Sequence, residues 1–322
     1  VDYIVEQAKE LLAIDSPSGY GKEVSSYLMK ELDRLGFRSW KTVKGSVMAD
    51  LGGKNAEDAI LLEAHCDTLG AMVHEIKTNG HLKLTNIGGM QPNNAEAENV
   101  RIITKSGRIY EGTCQLTNPS VHVNGDYQTT PRTWDSVEVI VDENINSKED
   151  ARALGIMAGD YVCFEPRTRV TESGYIKSRF LDDKLSSAIL LGLAKCIKEE
   201  QKEPERRIYL HFTIYEEVGH GGSAPVPEGV TEAWSVDMGC VGEGLSCTER
   251  QVSICAKDNG GPYNYDIVSK LVELAEKGGI DYAVDIRHAL IGPGVFASHG
   301  YERSHRDGVL NTLRLLWAYL CE

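Results

Sequence analysis

Two stretches of the 322-residue chain leave it little freedom: DAILLEA at residues 58–64 and RIYLHFTIY at 207–215. Both are largely apolar along their length, as expected of central strands covered on both faces. Covering them requires helices, and the surrounding sequence has helical spacing. Ile4, Val5, Ala8, Leu11 and Leu12 form one apolar stripe; Val24, Tyr27, Leu28, Leu32 and Leu35 form a second, which Gly36 ends. Further helices are expected at about 183–200, 265–277 and 308–321, with strands near 233–238 and 281–286. Strands alternating with helices imply a layered α/β domain.

Between about residues 70 and 167 the pattern changes. Short β-prone runs (HLKLTNI, RIITKS, RIYEGTCQL, SVEVIV, DYVCFEP) alternate with Gly, Asn and Pro turns, and ENINSKEDARAL is the first helical pattern to follow. That is the signature of a small β-rich module of barrel type. The expected organisation is therefore an α/β domain at 1–69 and 168–322, interrupted by an inserted module at 70–167.

Five short segments carry chemistry, nearly all at the carboxyl ends of expected strands, where open α/β sheets bind ligands. In EAHCDTLG the apolar strand gives way to His65 and, two residues on, Asp67. That spacing in an extended segment points both side chains to one side, and Asp67 is placed to orient the imidazole of a metal-binding His65. A turn with a solvated acid and a satisfied histidine is the plain alternative. SRFLDDKLSSA puts Asp182 and Asp183 at a helix start, where acids are common for capping reasons; the preceding Phe180 and Leu181 suggest that one carboxylate points inward. YEEVGHGGS ends the most apolar strand on Glu216 and Glu217, a costly pair to hold near a core unless paired or metal-bound. AWSVDMG closes another apolar strand on Asp237. FASHGYERSH offers His299 and His305 after a Gly-Pro-Gly turn at 292–294. Singly, each histidine is more often a surface residue. Jointly, two imidazoles and several carboxylates are what a pair of divalent ions requires, with a leftover carboxylate free to act as general base.

These five segments, in this order across essentially the full chain, resemble the cytosolic metallo-aminopeptidases of the glutamyl and tetrahedral (TET) aminopeptidase type, some of whose relatives carry an endoglucanase label. The resemblance implies an α/β/α zinc-peptidase-type catalytic domain and removal of N-terminal residues from peptides with two divalent metal ions, zinc or cobalt first and manganese next. His65 would bind one ion with Asp67 orienting it, and Asp182 would bridge both. Glu216 would be the general base, Glu217 a ligand of the other ion, and Asp237 a ligand on the His65 side. The last ligand should be a histidine followed shortly by a glutamate, which fits His299 with Glu302 better than His305. The resemblance also implies that the inserted module mediates dimerisation and that dimers assemble into a dodecamer.

The remaining composition narrows the partners. A net charge of −14 argues against nucleic acid or an anionic membrane. Eight Cys without a CxxC pair fit a reducing compartment, and no basic region leads into an apolar signal segment, so a cytoplasmic location is expected. The competing readings are an amidohydrolase or deacylase acting on N-acyl amino acids, a glycan hydrolase, and a non-catalytic metal- or peptide-binding relative. The paired histidines argue against a metal-free glycosidase. No G-x-S-x-G motif supports a serine nucleophile. The stretches 239–250 and 292–298 are expected to line the substrate pocket.

Overall fold

The computed structural model describes residues 1–286 and 289–321. Helices α1 (Asp2–Ala13) and α2 (Lys22–Arg34) come first, then strands β1 (Arg38–Lys41), β2 (Val47–Gly52) and β3 (Asn55–His65). Strands β4 (Gly70–Ile76), β5 (Leu82–Ile87), β6 (Glu98–Ile103), β7 (Ile109–Leu116), β8 (Val137–Val141) and β9 (Tyr161–Phe164) follow, with short helices α3 (Pro92–Ala95) and α4 (Lys148–Ala153) among them. The chain continues through β10 (Arg169–Val170), β11 (Tyr175–Ser178), α5 (Leu181–Glu199), β12 (Arg206–Thr213), β13 (Val230–Ser235), β14 (Gly239–Val241) and β15 (Val252–Cys255). Last come α6 (Tyr265–Gly278), β16 (Tyr282–Asp285), β17 (Ile291–Phe296), β18 (Glu302–His305) and α7 (Arg306–Cys321). Two compact units result: Val1–Asp67 with Arg167–Glu322, and Thr68–Pro166.

The first unit is α/β. Its five-stranded sheet runs β1-β2-β12-β3-β13. β3 is parallel to β12 and to β13, whereas β2 is antiparallel to its neighbours. Ala59, Ile60, Leu61 and Leu62 of β3 are all buried, as are Ile208, Leu210 and Phe212 of β12. This is why neither strand could alternate in sequence. Since β3, β12 and β13 run the same way, their carboxyl ends share one edge, with His65 opposite Thr213. Helix α5 packs on β3 and also meets α1. The α1 contact is close enough that a Cβ on Gly192 would lie 2.4 Å from Ile4 Cγ1. The first stripe is wholly buried, and of the second stripe only Tyr27 is partly exposed.

A second sheet in the same unit runs β10-β11-β18-β17-β15-β16, with β14 beside β17. Here the expected turn at 292–294 is corrected. Gly292 and Pro293 lie within β17, opposite Ser253 and Val252 of β15. The glycine answers to a close approach rather than a chain reversal: a Cβ on Gly292 would sit 1.5 Å from the Asp237 carbonyl oxygen. The Asp237 N–H donates to the Ile291 carbonyl at 3.1 Å, which holds the two backbones together.

The second unit is a closed barrel of order β4-β5-β8-β7-β6-β9, antiparallel throughout. Strand β7 alternates as a closed sheet demands: Tyr110, Gly112, Cys114 and Leu116 are buried and the residues between them are not. Buried Glu138 is held by Lys77 at 2.5 Å and His81 at 2.7 Å. No described helix is long and apolar enough to cross a membrane.

Candidate metal centre and active site

The shared edge of β3, β12 and β13 gathers the acidic and imidazole side chains. His65 ends β3, and its Nδ1 faces the Asp67 carbonyl oxygen at 3.0 Å. A carbonyl only accepts, so Nδ1 donates to it, and Nε2, facing carboxylates, is the nitrogen that a cation would take in place of its proton. That Nε2 lies 3.0 Å from Asp182 Oδ1, 3.6 Å from Glu216 Oε2 and 3.9 Å from Asp237 Oδ2. His65, Asp182 and Asp237 each offer one ligand atom, all within 4.8 Å of one another.

Asp182 faces both ways. Its second oxygen, Oδ2, lies 3.6 Å from His299 Nε2, and that nitrogen is 3.8 Å from Glu217 Oε2. His299 has a φ of +62, and its backbone N–H donates to Glu302 Oε1 at 3.0 Å. The other oxygen of Glu302 accepts from the Asp182 N–H at 3.1 Å. One carboxylate thus fixes the backbone of two candidate ligands, and the pairing of Ser178 with Glu302 between β11 and β18 sets it in place. His305 is elsewhere. It is buried, with Nε2 donating to the Ser173 carbonyl at 2.8 Å and Nδ1 accepting from the Asp307 N–H at 3.0 Å.

Asp67 is fully buried, and its carboxylate is 3.6 Å from His65 Nδ1, farther than its own carbonyl. The carboxylate accepts instead from the Ser18 hydroxyl at 2.5 Å and from the N–H groups of Glu216 and Glu217 at 3.1 and 3.3 Å. These two glutamates occupy a single 3-10 turn after β12 rather than the strand itself. The turn separates them: the Glu217 side chain is 5% exposed and that of Glu216 is 52% exposed. Asp182 and Asp183 are both buried, not one as expected. Asp183 Oδ2 accepts from the His65 N–H at 3.3 Å, and its Oδ1 is buried.

The electrostatics follow from burial of like charges. Burial alone would raise Asp182, but hydrogen bonding with His299 and His65 outweighs it and holds the carboxyl well below the usual range. Burial followed by the Asp182 charge raises Asp237 to about 7 and lifts Glu217 and Glu302 well above ordinary carboxyl values. Burial opposes a charged His65, yet the Asp182 hydrogen bond and the Asp237 and Asp67 charges leave it raised. Such crowding of buried oxygen ligands around imidazole nitrogens is the environment that a divalent cation relieves, so the donor set fits a metal centre.

A cavity of about 290 Å³ opens beside the cluster, lined by Glu216, Ser235, Asp237, Asp258, Asn259, Gly260, Tyr263 and Ala289. None of these comes from 239–250 or 292–298, the stretches expected to form the pocket. Sequence reading also passed over Ser18, whose loop carries no chemical signal, and the Asp258–Tyr263 loop, whose Gly-rich composition reads as a simple turn.

Comparison with known proteins gives the family and the fold. The chain is 40% identical to YhfE of Bacillus subtilis (strain 168), over 98% of this chain and 96% of that one. Its fold is close to that of the TET1 peptidase of Pyrococcus horikoshii, at a TM-score of 0.85 and 23% identity over 99% of both chains. A structure from Thermotoga maritima described as an endoglucanase has the same fold, at a TM-score of 0.77 and 18% identity over 97% of this chain and 96% of that one. The profile of the family described as M42 glutamyl aminopeptidase matches residues 45–315, and the chain belongs to that family of aminopeptidases.

Proposed function

We propose that the chain is a dinuclear metallo-aminopeptidase that cleaves the N-terminal residue from peptides. The observation that carries this reading is Asp182, set between two imidazoles with one oxygen toward each. His65 and Asp237 would hold one ion, Glu217 and His299 the other, and Asp182 would bridge them. Bound in this way, two divalent ions (zinc or cobalt, with manganese as a third option) would polarise the scissile carbonyl and acidify water nearby. Glu216 would take the proton of the attacking water and pass it to the leaving amine; its half exposure and its 3.6 Å distance from His65 Nε2 support that role. Asp67 keeps the turn carrying Glu216 in register with His65. The N-terminal amine of a peptide meets the acid-rich mouth of the site, which favours exopeptidase over endopeptidase binding.

The surroundings complete the proposal. The barrel unit is the dimerisation element, and dimers assemble into a larger homo-oligomer of dodecamer type in the cytoplasm. Support for assembly comes from the TET1 peptidase, which is described as forming a tetrahedron or a large octahedral shell.

Chelation tests the reading. Aminoacyl p-nitroanilides should be hydrolysed by the metal-loaded protein, lose turnover in chelator and regain it on adding zinc, cobalt or manganese. Asp182→Asn should lose both ions together, because a bridging carboxylate contributes charge to each. Metal analysis finding two tightly held ions in that variant would overturn the bridge.

A further inference from the structure

We infer that the cavity beside the metal centre is a pocket for a cationic side chain, so that the enzyme prefers peptides beginning with lysine or arginine, with Asp258 as the specificity-determining residue. The inference rests on the aminopeptidase reading and goes beyond it by naming a substrate class.

The cavity volume of about 290 Å³ lies just below the range of about 300–1,000 Å³ usual for ligand pockets. One extended side chain fits such a space better than a large ligand does. Its position ties it to the reaction, since Glu216 and Asp237 belong both to the cavity wall and to the candidate centre. A residue whose scissile carbonyl lies at the centre would therefore place its side chain here.

The lining decides which side chain. Among the described residues that form it there is no Lys, Arg or His, and three are acidic: Glu216, Asp237 and Asp258. Two of these are committed to the catalytic role proposed above, which leaves Asp258 as the anion available to a substrate. Its carboxylate is held in place, with Oδ1 accepting from the N–H groups of Gly260 and Gly261 at 2.7 and 3.1 Å. The Tyr263 hydroxyl donates to Oδ2 at 2.8 Å. Tyr263 also presents an aromatic wall. Burial and the hydrogen bond to Asp258 raise its hydroxyl pKa, and the Asp237 charge acts on it in the same direction. A fixed carboxylate beside an aromatic ring is the surface on which an amphipathic cation rests, with its stem on the ring and its head on the acid. An acidic side chain would meet three like charges, and an aliphatic one would cover the Asp258 charge without supplying a counter-ion.

A panel of Lys, Arg, Leu and Glu p-nitroanilides with the metal-loaded wild type tests this. The expected kcat/KM is at least tenfold higher for Lys and Arg than for Leu or Glu. In Asp258→Asn, which keeps the shape and the turn, the Lys-to-Leu ratio should fall at least tenfold, mainly through KM, and Asp258→Glu should restore part of it. Calorimetric titration with lysinol and norleucinol, which carry no scissile amide and differ in the terminal amine, should give at least tenfold tighter binding of lysinol. Turnover with equal or better use of Leu or Glu, or equal affinity for the two amino alcohols, overturns the inference and leaves the aminopeptidase reading intact. No turnover of any member of the panel overturns that reading, and this inference with it.

Discussion

Adjacent glutamates in one turn, with tenfold different exposure, are the sharpest test at the scale of the residue. Glu217 faces His299 and Asp182 from a buried position, so Glu217→Gln should lower metal occupancy and reduce activity through that loss. Glu216 stands half in solvent, and Glu216→Gln keeps its size while removing its basicity. General acid–base catalysis contributes roughly 10²–10⁴ in rate, or ~3–5 kcal/mol of barrier. Glu216→Gln should hold both ions and turn over at least a hundredfold more slowly. Metal content and kcat measured on both variants decide the matter, and an apo Glu216→Gln beside a metal-replete, inactive Glu217→Gln would exchange the two roles. A second expectation concerns Glu302, which touches the backbone of His299 and Asp182 rather than a cation. Glu302→Gln has a single carbonyl to serve two N–H groups, and outer-shell losses of this kind typically lower metal affinity by about 10–100-fold. Isothermal titration with zinc would show it; unchanged affinity would make Glu302 a bystander. Asp67, Asp237 and the Glu216–Glu217 pair stood out in sequence because each follows an apolar run abruptly, which is expensive without a partner, whereas Asp182 and Asp183 stood out only as acids at a helix start. Ser18 was not, since a serine in a short loop announces nothing until Asp67 is seen to accept its hydroxyl.

At the scale of the element, β3 and β12 were readable because burial on both faces suppresses alternation, and α1 and α5 because their apolar stripes are long. Apart from β16, expected near 281–286, the second sheet was hidden for an equally physical reason. Its strands are four to six residues long in β15, β17 and β18, and β17 contains Gly-Pro-Gly, which local rules read as a turn. Gly292 is there because the Asp237 carbonyl leaves room for nothing larger, a constraint set by a residue 55 positions earlier in the chain. Gly292→Ala should therefore displace Asp237, costing about 1–3 kcal/mol for the forced shift and weakening metal binding. A lowered Tm accompanied by lower metal content would be the expected pair. A variant with a wild-type Tm and full metal content would mean that the strand yields without moving the ligand. The Glu216–Glu217 turn likewise escaped strand-based reasoning, since it begins only after β12 has ended at Thr213.

For the whole molecule, every candidate catalytic group lies in the unit Val1–Asp67 with Arg167–Glu322, and Thr68–Pro166 closes into a barrel with its own core. Replacing residues 70–167 by a short linker should leave a folded α/β unit with a cooperative melt that no longer oligomerises. Light scattering that still showed the parental particle would remove the barrel from assembly. One carboxylate described above also bears on how such a chain descends. Asp67 joins Ser18, 49 positions before it, to the backbone of Glu216, 149 positions after it. Losing that acid strands a hydroxyl and two N–H groups at once, each costing about 1–3 kcal/mol when buried, so no single compensating substitution brings a lineage back. The three segments therefore pass between generations as one unit. Crossovers between diverged relatives survive where they leave residues 18, 67 and 216 with a common parent, and gene shuffling among relatives should recover viable chimaeras with that bias.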